Sequence, residues 1–469
     1  MVNSVGKYQI DMCHGPLFGK IVRFSIPLMI SNIMQVLFNV IDLIVIGRYA
    51  RHEALAAVGS CSSLCSTILS IFFGLSVGAN VLAARYIGAR DRTQVFQSVH
   101  TAMAVSLYGG ILLAAVGILA SRPVLIWMDT PASVLPKASL YMWIYCAGIP
   151  VILMINFGTS LLRANGDTKR PMMYMIFAGI VKVVLNLFLV REFHWDVAGV
   201  GCATVVSNIF AATLMIRALT GLRGSSRLFL TKIRLYGAIF IDMVKIGLPS
   251  GVQTSLAGVS NIMIQSTINT FGSKAMAGSA ATTSLEGIVY TAFIAFYFAV
   301  ISFVGQNHGA GKYSRIVKSI FICIFLTTAA AIVTGWGIYF AGPDLLKIYK
   351  PDPEVIQWGM IRLKYLVTTY FLCAVMDVLN GALRGLGHAL IPMIVGMLGI
   401  CVFRIVWILT VFPHYRTMEN LLLSYPVSWI LIILVNGSVL YFICRKMFRE
   451  AVARHHTHFG TITENHILS

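Results

Sequence analysis

The chain has 469 residues, 58% of them hydrophobic and 11% charged, with a formal net charge of +19 and a mean hydropathy of +0.81. A water-soluble protein of this length needs more charge to cover its surface, which excludes a soluble enzyme or binding domain as the main body. The basic residues fall in small clusters between apolar runs; that pattern argues against a nucleic-acid partner and fits the positive-inside bias of membrane proteins.

In chain order, "MVNSVGKYQIDMCHGPLFGK" lacks the apolar core of a signal peptide and reads as a cytoplasmic lead over 1–20. Apolar runs then predict helices at 21–47, 55–86, 94–120, 138–162, 171–190, 198–220, 245–271, 276–307, 315–341, 358–383, 391–412 and 423–445. This is an all-α membrane protein of twelve transmembrane helices. The runs 55–86 and 276–307 exceed the ~20 residues a span requires and should tilt or project. Lobes are expected at 21–220 and 245–445, joined by a basic amphipathic linker over 221–244 on the cytoplasmic interface and followed by a cytoplasmic tail, 446–469. Lys and Arg concentrate in "ARYIGARDR", "RANGDTKR", "GAGKYSRIVK", "RGLGH" and the tail, which puts those loops and both termini in the cytoplasm.

The sequence repeats at a fixed distance. "SLLRANGDTKRPM" (160–172) and "GALRGLGHALIPM" (381–393) align Arg163 with Arg384, Gly166 with Gly387 and Pro171 with Pro392, each 221 positions apart. "GARD" (88–91) lies over "GAGK" (309–312) at the same offset, and Pro27 matches Pro249 at 222. An even number of spans per half gives both halves the same membrane orientation, a parallel repeat with its substrate site between the halves. Arg163 and Arg384 are expected to hold their turns inside, with effects on folding and topology rather than on substrate affinity. Gly74 and Gly78 fit the G-x-S-x-G hydrolase pattern but lie mid-span, so they read as a small-residue packing face. Neither a catalytic constellation nor a phosphate-binding loop is present, so no enzymatic activity and no cofactor are expected. Of the nine cysteines, Cys61 and Cys65 share a helix face, but two thiols without a histidine make a poor metal site.

Three acidic residues fall inside the predicted spans: Asp42, Glu286 and Asp377. An intramembrane carboxylate is costly and usually marks an ion or proton path. Asp42 sits in the outer half of the first span. Asp377 and Asn156 occupy equivalent positions, seven residues before Arg384 and Arg163, and should face the lobe interior or the cavity. Glu286 is open between a substrate-facing and a helix-packing role. Lys182 and Arg404 are nearly repeat-equivalent; Lys182 lies one turn before Asn186 and is open between pairing with Asp42 as part of coupling and a snorkelling or purely structural role.

Taken together, "FNVIDLIVIGRYARHEALAAVG", "GLSVGANVLAARYIGARD", "LLRANGDTKRPM", "VGQNHGAGK", "GALRGLGHALIPM" and "LSYPVSW" resemble the MATE (multidrug and toxic compound extrusion) family, bacterial type, over about 17–448. The resemblance implies a V-shaped pair of six-helix lobes around a central cavity. It implies a monomeric antiporter of the cell inner membrane that exports small, cationic or amphiphilic organic compounds in exchange for H⁺ or Na⁺. A lipid-linked or metabolite cargo, as in flippases of the same superfamily, is the alternative. It also implies a cation-coupling set of Asp42, Asn186 and Thr204. Family members often carry an Asp four residues after the equivalent of Asn186; here that position is Val190. Members coupled to Na⁺ through the second lobe carry a Glu on the seventh span, and "VQTSLAGVSNIMIQ" has none, which favours H⁺. Asp377, Glu286, Asn156 and Lys182 remain the candidates for a second-lobe or substrate role.

Overall fold

The structure, a computed structural model, describes residues 8–49, 52–128, 130–193, 195–349 and 352–467, so parts of the predicted lead and tail lie outside the described residues. The first half comprises α1 (Leu17–Tyr49), α2 (His52–Ala89), α3 (Arg92–Trp127), α4 (Leu135–Ala147), α5 (Ile149–Ala164), α6 (Lys169–Leu187) and α7 (Asp196–Thr220). The second comprises α8 (Gly237–Asn269), α9 (Ser273–Gly309), α10 (Tyr313–Tyr349), α11 (Pro353–Leu366), α12 (Tyr370–Gly385), α13 (Leu390–Gly396), α14 (Phe403–Thr410) and α15 (Met418–Ile467). A π-turn at Phe188–Glu192 extends α6, another at Met397–Val402 joins α13 to α14, and a 3-10 turn at Val367–Thr369 joins α11 to α12. Pro150 starts α5 and sets it at 45° to α4, making one bent span of the two.

Among the described residues these helices form twelve rods, where the sequence predicts twelve. Among the described residues, ten are long and apolar enough to cross a membrane, eleven with the bent pair. The remaining rod is α8. Lys245, Gln253, Asn261, Gln265 and Asn269 dilute its apolarity, and it packs instead against α2. The segment expected as a linker is helical from Gly237 onward, so its last third is the start of α8.

The repeat holds at the level of single hydrogen bonds. Gly166 and Gly387 are both left-handed, at φ 81° and 88°. Each turn is closed the same way: Asp167 N–H donates to Leu162 O and His388 N–H to Leu383 O, both at 2.9 Å. This is a helix C-cap that a Cβ would strain, which explains glycine at both positions. Arg90 and Gly311, again 221 apart, are left-handed as well.

Across the middle of the molecule, α2 and α9 meet at equivalent residues. A side chain at Gly88 would strike the backbone of Gln306, and one at Gly309 the backbone of Arg85, and these positions map onto each other at 221. The repeat axis therefore runs between the two helices. Gly74 and Gly78 of α2 lie against Gly247 and Gly251 of α8, the packing face expected of them.

Each half's first helix also crosses to the other half. Leu17, Ile21, Phe24 and Leu28 of α1 are buried with α9, α10 and α12, and Ile239, Met243 and Ile246 of α8 with α2 and α3. At the helix ends beside the Gly166 turn the lead ties the halves together. Ile10 N–H donates to Gly166 O (3.1 Å), while Asn307 and Arg315 donate to Met12 O (3.2 and 3.1 Å).

Candidate functional site

Two cavities meet inside this frame. One, of about 610 Å³, lies between the halves and is walled by α1, α2, α5 and α6 on one side and α8, α9, α12, α14 and α15 on the other. The second, of about 630 Å³, lies within the first half. Gln35, Phe73, Ile155, Asn156 and Met175 belong to both walls, so the two are adjacent.

The first-half cavity holds the clearest constellation. Asp42 on α1 is buried. One carboxylate oxygen accepts from Nδ2 of Asn186, and the other pairs with the Lys182 ammonium. Lys182 and Asn186 are four residues apart on α6, hence on one face, and α1 packs against that face. Gly179, one turn earlier, gives Phe38 of α1 room to sit against α6. Oδ1 of Asn186 is buried and has no hydrogen-bond partner among the described residues. Thr204 lines the same cavity but makes no hydrogen bond to Asp42 among the described residues, and Tyr141 and Tyr145 also line it. The structure thus brings together Asp42, Asn186 and Lys182, with Thr204 on the same wall. Val190, which stands four residues after Asn186, is fully buried in the π-turn.

Asp377 lines the central cavity. Its carboxyl lies beside Tyr290 and Asn380, and Oδ2 is buried without a hydrogen-bond partner among the described residues. Asn156 lines the cavity from the opposite half, its Nδ2 donating to Ile152 O at 2.8 Å. The two repeat-equivalent positions therefore face one chamber.

Glu286 is elsewhere. It accepts Nε and Nη2 of Arg362 at 2.6 and 3.0 Å, a fork-to-fork pair between α9 and α11, and lies outside the lining of both cavities. Arg362 also donates to Ser279 Oγ. Of the two roles left open for Glu286, the geometry is that of helix packing. Sequence reading missed Arg362, although it falls inside the predicted span 358–383; a buried carboxylate's need for a cation is the signal that points to it.

The turn arginines reach beyond their turns. Both Arg163 and Arg384 line the central cavity. The Arg384 guanidinium donates to Tyr297 Oη and Gln253 Oε1, and that of Arg163 lies 4.2 Å over the Phe298 ring. The reason is placement: α5 and α12 wall the chamber down to their last turns, so side chains from those turns reach into it. Arg404 is also on this wall, donating to Ser428 Oγ at 3.1–3.2 Å and lying 4.0 Å over the Tyr425 ring.

The comparisons agree with this architecture. The MatE family model matches residues 27–188 and 249–410, one copy per half. "Probable multidrug resistance protein YpnP" of Bacillus subtilis is 28% identical over 404 residues, covering 84% of this chain and 88% of that one. The "FAD transporter" of Shewanella oneidensis is 23% identical over 457 residues, covering 92% and 96%. A solved structure described as the outward-facing conformation of a multidrug resistance MATE family transporter superposes with a TM-score of 0.87 at 21% identity, over 93% of this chain and 98% of that one.

Proposed function

The chain belongs to the MatE family of multi-pass membrane transporters, and from that premise we propose that it is a secondary active efflux transporter. In this reading it exports small amphiphilic organic compounds from the cytoplasm across the inner membrane, both termini inside, by alternating access driven by inward H⁺ or Na⁺. One observation carries the reading: a buried carboxylate, Asp42, shared between a lysine and an asparagine in a cavity that adjoins the chamber between the halves.

The chemistry is a competition for one carboxylate. Without a coupling ion, the Lys182 ammonium neutralises Asp42. An arriving proton or Na⁺ takes the carboxylate, and for Na⁺ the unpartnered Oδ1 of Asn186 supplies a further oxygen ligand. Lys182 is then released, and the contact between α1 and α6 changes. An ion shifts a conformational equilibrium only by its different affinity for the two states. Here that difference is the presence or absence of the Asp42–Lys182 pair. Pro27, which removes a backbone hydrogen bond inside α1, gives that helix a place to bend.

The relatives' names extend from drugs to FAD, so family membership leaves the class of cargo open. The alternative, a lipid-linked or metabolite cargo, uses the same chamber. The test is flux in proteoliposomes with pH and Na⁺ gradients imposed separately. Asp42→Asn should fold and bind cargo while losing gradient-driven export. Wild-type-like export by that variant under both gradients would remove Asp42 from the coupling role.

A further inference from the structure

We propose that the central cavity selects an organic anion: an apolar or flat aromatic body carrying a carboxylate or phosphate, held by Arg404 and Arg384. The proposal rests on reading that cavity as the cargo chamber and specifies what the chamber takes.

The charges on the wall are the first reason. Among the described residues, Arg163, Arg384 and Arg404 face the chamber and Asp377 is the one carboxylate beside them, an excess of two positive charges. All three guanidiniums rest on neutral groups: Arg404 on Ser428 and Tyr425, Arg384 on Tyr297 and Gln253, Arg163 on Phe298. Elsewhere within the spans this chain matches buried cations with carboxylates, Lys182 with Asp42 and Arg362 with Glu286. An unmatched cation in a low-dielectric chamber is costly, so the two positive charges left over after Asp377 call for a counter-charge from outside the protein.

The repeat sharpens this. Arg404 stands 222 residues after Lys182. The position 222 after Asp42, in the register set by Pro27 and Pro249, is Ile264, a buried apolar residue. The second half has kept the cation and has no carboxylate there to neutralise it. Free donors remain: Nη1 of Arg404 and both Nη atoms of Arg163 make no hydrogen bond among the described residues, and the Nε atoms of Arg163 and Arg384 are unpartnered. A planar guanidinium fork matches the oxygens of a carboxylate or phosphate.

The aromatic wall does not reverse the conclusion. Tyr and Trp faces attract organic cations. Here the faces of Tyr425 and Phe298 already carry Arg404 and Arg163. Tyr290, Tyr370 and Trp429 remain as a surface for the apolar body.

The experiment uses three pyrene probes on one butyl linker, ending in a carboxylate, a hydroxyl or a trimethylammonium group. Binding to the purified full chain in neutral detergent is followed by tryptophan quenching at two salt concentrations. The carboxylate probe should bind about tenfold or more tighter than the trimethylammonium probe, and less tightly at high salt. Arg404→Gln should weaken the carboxylate probe by about tenfold while leaving the alcohol unchanged. Asp377→Asn should tighten it, a gain that misfolding does not mimic. Displacement of the probe by benzyl phosphate identifies a soluble anion, and displacement only by dihexanoyl phosphatidic acid identifies a lipid headgroup; either supports the proposal. Tightest binding of the trimethylammonium probe, or a carboxylate affinity unmoved by both variants, overturns it and leaves the chamber as the cargo site. Binding of none of the three overturns the chamber assignment as well.

Discussion

Two buried carboxylate–cation pairs in this molecule have opposite settings. Asp42–Lys182 borders a cavity, where a coupling ion can reach it, and its amide neighbour has a free oxygen. Glu286–Arg362 is bidentate, sealed between α9 and α11, and holds a third partner in Ser279. Breaking a sealed pair leaves an uncompensated charge and costs roughly 3–5 kcal/mol, whereas replacing both partners with apolar groups is often neutral. Glu286→Gln should therefore lower the thermal-unfolding midpoint of the purified protein without changing cargo affinity in the folded fraction. Glu286→Leu with Arg362→Met should recover most of the loss. A selective fall in cargo affinity at unchanged stability would instead return Glu286 to the transport path.

The helices are arranged by small residues at two kinds of place. At the α2–α9 crossing, Gly88 and Gly309 let the backbones touch on the repeat axis. A valine at either position meets backbone rather than a flexible side chain, so Gly88→Val and Gly309→Val should each sharply reduce monodisperse protein in size-exclusion chromatography. The end caps are milder. A non-glycine residue in the left-handed region costs roughly 1–2 kcal/mol. Gly387→Ala should accordingly fold, with a lowered unfolding midpoint. Gly166→Ala should cost more, because a Cβ there also meets the backbone of Ile10 in the lead. Equal effects at the two sites would mean that the lead does not bear on the turn.

For the whole molecule, the hydrogen-bond-level repeat and the α2–α9 axis require both halves to face the same way. Protease sites inserted at Gly224, between the halves, and after Ser469 should be cut from the cytoplasmic side. A site inserted between Pro131 and Ala132, in the turn before α4, should be cut from the opposite side. Cleavage of the Gly224 and Pro131 sites from one side would contradict the orientation.

The helices, their number and the duplication were legible in the sequence because they depend on local composition: an apolar run long enough for a bilayer forms a helix wherever it sits, and a copied module keeps its Gly, Pro and Arg spacing. Asp42 and Lys182 stood out for a similar reason, since charges within spans are rare; Asn186 was implied by the family resemblance, and its four-residue spacing from Lys182 sets one helix face. What the sequence left undecided was which cavity each charge meets. Glu286 and Asp42 read alike until α11 brings Arg362 against the first and leaves the second beside open space. Arg163 and Arg384 read as turn residues until the ends of α5 and α12 carry them into the chamber. The electrostatic role of a buried charge is fixed by the partners that other helices bring within a few ångströms, and those contacts exist only once the two halves have packed around their axis.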